Sequence, residues 1–495
     1  MRRLPSIVLF GLALALGACS DEPGGGGDDD TDGRDGGMSV NGGDDGGGTG
    51  DGDGGTGDGD GGGGDGDGGR DGGDPLMQTR SEFCSGSGSV VIVGGGGECA
   101  GEIAEDTFRF ALCTCEGTSV GSQLSLDAFD STVGPYGGAN ILDDGSLGSN
   151  GALDIDGKLT ARGSAFIHGG GFSVGPEGEV LGTVYANGDA VQSNSSTDIG
   201  RNAFFNGNVS GRFNIDGTLK VPANATVGPQ VRATGGIIRG PVQTAAPCPC
   251  EDDEILDIGA LTSWASDPAN NDNDEAPRVL TSTTWEGGQG PTSMTLPCGR
   301  YYVTSIDAPN LTLRVEGRVV LFVDGDMRID GPLTIDIASE DAEIDLFVRG
   351  NLAVRAAARF GSADAPARTR TYVGGGDTID LSASARFGGN LYAPRALVRF
   401  GASAELYGAL FARSVEFGAS ATVHFDTAIR SEGDDCDEEE MDGGVRDAGP
   451  RPDAGPIPDA GVRDGGPRDA GPECTEDIDC PAPELCIDGT CEISL

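Results

Sequence analysis

The side chains of this 495-residue chain that could do chemistry are two histidines, thirteen cysteines and eighty carboxylates, and their spacing narrows the choice. His168 and His424 stand some 250 residues apart. Neither belongs to an H-E-x-x-H helix or a Cys-His dyad, and the chain has no G-x-S-x-G elbow and no G-x-x-x-x-G-K phosphate loop. His168 falls in one column with Asn187 and Asn206 and reads as a turn residue; His424, inside the apolar run Val423 to Phe425, reads as an outward-facing strand residue. The carboxylates able to act as an acid and base are Asp154 with Asp156, Asp216, Asp324 with Asp326, and Asp330 with Asp336, because alternate residues of a strand share a face. Such pairs arise by chance in so acidic a chain, and Asp before Gly is ordinary turn chemistry. The expectation is a chain with no catalytic residue, no metal site and no cofactor. Polysaccharide binding or glycan cleavage by a lyase or hydrolase is the alternative.

Cys19 is a different case. Arg2 and Arg3 precede an apolar run from Ile7 to Leu16, too short to span a bilayer, which ends in Leu16-Gly17-Ala18-Cys19. Residues 1–18 therefore read as a signal peptide. Gly17 and Ala18 let a peptidase take the backbone in extended form, and the Cys19 thiol is the nucleophile beside them. These residues resemble the lipobox of bacterial lipoproteins, which implies export and a diacylglyceryl anchor on Cys19. Ser20 resembles the outer-membrane form of the Gram-negative sorting pattern, so a lipid-anchored place at the outer membrane or cell surface is expected.

The other twelve cysteines are an even set, as expected of disulfides in an oxidising compartment. They are Cys84, Cys99, Cys113, Cys115, Cys248, Cys250, Cys298, Cys436, Cys474, Cys480, Cys486 and Cys491. Cys113-Thr114-Cys115 and Cys248-Pro249-Cys250 are C-x-C pairs whose thiols share a strand face, and each pair is expected to staple to distant partners. The connectivity is open at this stage.

Composition separates folded mass from spacer. Residues 19–79 form a tether: between 20 and 75 lie 17 acidic and 2 basic residues with hardly an apolar side chain, too little to offset chain entropy. Its reach is on the order of 40 Å, extended further by charge repulsion. Asp28-Asp29-Asp30-Thr31-Asp32-Gly33 opens like a calcium loop, but Ser39 stands where the bidentate Glu belongs. Residues 437–472 repeat Asp-Ala-Gly-Pro, an extended linker. Residues 473–495 hold four cysteines in a tail too small for a core without cross-links. Linker and tail resemble those ending surface lipoproteins of gliding delta-proteobacteria. The net charge of −48 argues against nucleic acid as a partner.

The elements that position everything else appear when the chain is compared with itself. Ser164-Ala165-Phe166-Ile167-His168-Gly169 recurs at 183 and at 202, each a step of 19; Val398-Arg399-Phe400-Gly401-Ala402-Ser403-Ala404 recurs at 415, a step of 17. A repeat of this length with short strands cannot bury its apolar side alone, so coils must stack. Val398, Phe400, Val415 and Phe417 would then form interior ladders, while Arg399 and Glu416 point outward and pair. The reading is all-β: a right-handed parallel β-helix, or β-solenoid, with a short helical insert and disordered linkers. Its segments are 80–250 and 297–436. Between them, in 251–296, Asp252 or Asp253 is expected to cap a helix through Ile255, Ile258, Leu261 and Ala265 that covers a flank or an open end.

Gly299-Arg300-Tyr301-Tyr302, Val319-Val320-Leu321-Phe322-Val323 and Gly389-Asn390-Leu391-Tyr392-Ala393-Pro394 resemble motifs of an uncharacterised bacterial domain found in surface and pilus-associated proteins. The series from 160 to 220 resembles bactofilin-type domains in its repeat style. Neither resemblance implies a catalytic residue. Both fit a rigid rod held to a membrane by its lipid and presented to surface proteins, polysaccharide or copies of itself in a structural, adhesive or assembly role.

Overall fold

The computed structural model describes residues 78–90, 107–274, 284–285, 292–381, 386–431, 484–487 and 490–493. Cys19, the tether, the Asp-Ala-Gly-Pro linker and Cys99, Cys436, Cys474 and Cys480 lie outside the described residues. In the tail, Glu484–Ile487 pairs antiparallel with Thr490–Ile493, placing Cys486 opposite Cys491 in register.

The rest is a parallel β-solenoid. One coil runs Leu147–Ser149, Ala152–Ile155, Lys158–Ala161, and the next repeats it as Ala165–Ile167, Phe172–Val174, Glu177–Val180. The three strands of each coil lie on three faces, called here first, second and third. Alternation puts Leu147, Leu153, Leu159, Phe172 and Val180 inside, all fully buried. Like residues stack at the anticipated steps: Ala165 beside Val184 beside Ala203, and Phe400 beside Phe417 with ring centroids 5.0 Å apart. Arg399 Nε donates to Glu416 Oε2 at 2.7 Å across adjacent coils. At one corner Asn206 Nδ2 donates to Asn187 Oδ1 at 2.6 Å. At another, a Cβ on Gly151 would fall on the Glu116 carbonyl, so only glycine lets the coils close there.

The constant period of 17 to 19 does not extend to every coil. Thr197 lies beside Phe213, a step of 16, whereas Leu321 lies beside Leu346 and Leu346 beside Thr371, steps of 25. A ladder needs only its inward strands aligned. Extra residues are taken up at corners, as in the 3-10 turn Pro366–Arg368.

Coil order is not chain order. Leu410–Phe417 pairs with Leu112–Val120, and Ala421–Asp426 pairs with Leu124–Phe129, so the last coil of the chain lies on the first. Coils from 293–426 and from 112–239 thus form one stack, climbing in one direction, and residues 240–274 carry the chain back from its top to its bottom, where the Asp272 amide meets the Arg300 carbonyl. This return strap covers the outer side of the first face. Under it and residues 79–90 and 107–110, the strands Arg318–Val323, Glu343–Val348 and Thr369–Val373 are buried at every position, the pattern of strands covered on both sides. An outer ladder Phe322, Phe347, Tyr372, Tyr392 and Phe411 runs along that face; Trp264 packs on Phe322 and Phe108 on Tyr372.

The helix lies further along than the sequence pattern indicates. It spans Ile258–Ala265, and its cap is Asp257, whose Oδ1 accepts from the Ala260 amide at 2.9 Å. Asp252 and Asp253 sit in a turn closed by Glu254 Oε2, which accepts from the Cys250 and Glu251 amides. Leu256 gives its amide to the Tyr392 hydroxyl at 3.0 Å, so this backbone is committed to the strap before helix can start. The helix covers a flank of the first face.

Candidate functional site

The cysteines fix the strap. Cys113 bonds to Cys248 and Cys115 to Cys250, each 135 residues apart, so the two C-x-C pairs staple to one another. Gly148 leaves room for Pro247 and the Cys113–Cys248 sulfurs above it. Asn150 holds Cys248 by two hydrogen bonds, and His168 Nδ1 lies 2.9 Å from the Thr244 carbonyl oxygen, which makes His168 a strap anchor as well as a corner residue. Cys84 bonds to Cys298, joining the short helix Arg80–Phe83 to the bottom of the stack.

Beneath residues 83–90 lies a buried ionic network with no counterpart among the candidates read from residue types and spacing. Arg370 Nε donates to Asp345 Oδ1 at 2.7 Å, its Nη2 to Glu343 Oε2 at 2.7 Å, and its Nη1 to the Ala367 carbonyl at 2.8 Å. Burial opposes the charge on Arg370, and Asp345 and Glu343 more than offset it, raising its pKa well above the usual guanidinium range. Arg318 approaches Glu343 at 3.5 Å, donates to the Phe83 and Gly88 carbonyls and lies over the Phe83 ring. The signal was present as charges at strand positions inside apolar runs: Arg318 in Arg318–Val323, Glu343 and Asp345 in Glu343–Val348, Arg370 in Thr369–Val373. Reading it required the 25-residue register.

The second cluster lies on the third face, at the junction of the last and first coils. His424 faces outward from its strand, as expected, but Tyr136 of the loop after Leu124–Phe129 stacks on its ring at 3.8 Å and leaves it 4% exposed. His424 Nδ1 lies 2.6 Å from Asp127 Oδ1, and Nε2 lies 3.6 Å from Glu405 Oε1. The Tyr136 hydroxyl donates to Asp127 Oδ2 at 2.7 Å; burial and that carboxylate push the phenol's pKa up. Beside them Asp426, fully buried, accepts from the Ser131, Ala367 and Ala428 amides. Among the described residues neither nitrogen of His424 meets a hydroxyl or thiol, so the cluster orients an imidazole between two carboxylates without a nucleophile for it to activate.

The acid/base candidates are dispersed. Asp324 accepts from Arg349, Asp326 from Arg328 and Asn351, Asp330 from Arg355 and Asp336 from Arg314, mostly across to the next coil. Asp154, Asp156 and Asp216 are exposed on outward positions. Among the described residues no three His, Cys, Asp or Glu side chains converge as metal ligands.

The Tyr392 phenol carries a pH prediction. Burial raises its pKa to about 12, against about 10 in the unfolded chain. A phenol whose folded pKa is raised stabilises the fold fully below the unfolded pKa and loses that contribution as pH rises toward the folded one. Between pH 10 and about 12 this one group is expected to remove up to about 1.4 kcal/mol of stability per pH unit. Denaturant midpoints measured across that range check it: Tyr392→Phe should lose stability less steeply than the parent, and parallel slopes would contradict the assignment.

Residues 263–432, about a third of the chain, match a domain of unknown function, DUF7305. The match begins at the end of the helix Ile258–Ala265 and takes in the coils below the junction. No curated protein and no solved structure matches the chain.

Proposed function

We propose that this protein is a non-catalytic, lipid-anchored rod of the bacterial outer membrane or cell surface, in which the β-solenoid serves a structural, adhesive or assembly role. The observation that carries the reading is the use of its reactive side chains. His424 is held between Asp127 and Glu405 under Tyr136, and Asp324, Asp326, Asp330 and Asp336 each bind an arginine. Among the described residues six cysteines are in disulfides. Away from the top end, the outward positions of the described coils carry ladders such as Asn187 with Asn206 and paired charges such as Arg399 with Glu416, a rigid surface suited to presentation. Signal peptide, Cys19 and the acidic tether supply the anchor in this reading.

Two measurements test it. Palmitate labelling of the expressed protein should vanish in Cys19→Ser; a label that persists removes the anchor. The purified chain should leave acidic and neutral polysaccharides uncleaved, and cleavage lost in Asp154→Asn or Asp324→Asn would replace the display role with an enzymatic one.

A further inference from the structure

The two ends of the stack are built differently. At the bottom, the edge of Gly299–Val303 is covered by the chain itself: the Asp272 amide donates to the Arg300 carbonyl at 2.6 Å, and the Asn273 side chain pairs with both backbone groups of Tyr302. At the top, Val231–Ala233 and Ile237–Arg239 are the terminal strands of their sheets, and no strand lies beyond them among the described residues. Ile237 occupies the core register above Leu219, yet it is 46% exposed; Ile238 beside it is 54% exposed. Open edges of this kind are templates for another strand, and proteins usually blunt or cover them.

Charge sets this end apart as well. In a chain of net charge −48, residues 199–250 contain one carboxylate, Asp216, and five cations: Arg201, Arg212, Lys220, Arg232 and Arg239. Elsewhere on the rod arginines such as Arg314, Arg349, Arg355 and Arg399 sit against carboxylates. None of the five at the open end forms an ion pair among the described residues, and Arg239 turns its guanidinium onto the carbonyls of Pro222, Ala223 and Ala225.

We propose that the open end is a docking site for an extended, acidic segment of a partner polypeptide. The segment adds as a further strand along Ile237–Arg239, lays the apolar side chains of its inward face on Ile237, which stands in the core register above Leu219, and turns the carboxylates of its outward face toward Lys220 and the flanking Arg232 and Arg239. Each part of the site selects against another occupant. A free backbone edge and two isoleucines give nothing to an anionic polysaccharide. Five unpaired cations disfavour a second copy meeting this end top to top, and the bottom edge, already covered by Asp272 and Asn273, offers no free strand to one stacked top to bottom. The protein's own tether has the charge but lacks apolar residues to cover the isoleucines. The proposal does not depend on the anchor at Cys19 and goes beyond the display role by naming what the rod would hold.

The test uses the full chain in detergent and a short fluorescent peptide of alternating valine and glutamate, read by anisotropy. Binding is expected to weaken with added salt and to fall about fivefold or more in Arg232→Glu and in Ile237→Ser, with the thermal midpoint of Arg232→Glu unchanged because that side chain is exposed. A peptide N-methylated along one edge should not bind. Any of four results overturns the proposal: no binding of the parent peptide; equal binding of the N-methylated one; binding of polygalacturonate at the same site that is indifferent to Ile237→Ser; or end-to-end dimers, abolished by Ile237→Ser, that the peptide does not dissociate.

Discussion

Replacing Cys113, Cys115, Cys248 and Cys250 together by serine is expected to cost about 5 kcal/mol of stability or more, whereas removing either disulfide alone costs at most about 2 kcal/mol. Each disulfide closes a loop of 135 residues on its own. Once one is in place, the other closes only the few residues between neighbouring cysteines, so it constrains little further chain entropy. The loop matters because the strap joins the top of the stack to its bottom, while the junction of last and first coils is held by strand pairing and by side-chain contacts such as His424 with Asp127, with no disulfide across it among the described residues. With both staples gone the strap can lift, uncovering the outer side of the first face. Urea unfolding of the two single-pair variants and the quadruple variant forms a double-mutant cycle. Two equal losses that simply add would show that the staples act locally and not through the loop.

Arg370→Met is expected to destabilise the protein by about 3 to 5 kcal/mol. The side chain is fully buried, and its loss leaves Asp345 without its cation and Glu343 with only Arg318 at 3.5 Å, in a site closed by residues 83–90. The damage should come from the stranded carboxylates and not from lost volume, since methionine fills much of the space. The same substitution in a Glu343→Gln/Asp345→Asn background should therefore cost at least about 2 kcal/mol less than in the parent. A loss under about 1 kcal/mol in the parent would mean that the network is not the compact, desolvated unit described. Native-state hydrogen exchange would also register the change: amides of Arg318–Val323 and Glu343–Val348 should open together in the variant, because Arg318 couples the network to Phe83 and Gly88.

The parts legible in the sequence are those repeated at short range. The ladders through Phe400 and Phe417, the outward pair Arg399 and Glu416 and the corner column of Asn187 and Asn206 all follow from one alternation rule and a step of 17 to 19. His424 was legible only in direction. Its strand points it outward, but the tyrosine that covers it comes from a loop almost 290 residues earlier. The buried arginines were hidden because their partners recur at 25 residues, a spacing the conspicuous repeats do not use.

By itself the sequence determined the fold class, the inward residues and the presence of disulfides, since each depends on neighbours along a strand or one coil away, or on counting thiols. Only the tertiary structure decided that the last coil lies on the first, that the chain returns as a stapled strap, and that one end is covered while the other is open. These are matters of contacts between residues far apart in the chain, such as Cys113 with Cys248 at a separation of 135 and Arg109 with Arg430 at 321. Parallel strands with the same alternation can stack in any coil order at similar local energy; the order realised is set by which surfaces the strap and the N-terminal segment bury, and no single spacing in the chain encodes that.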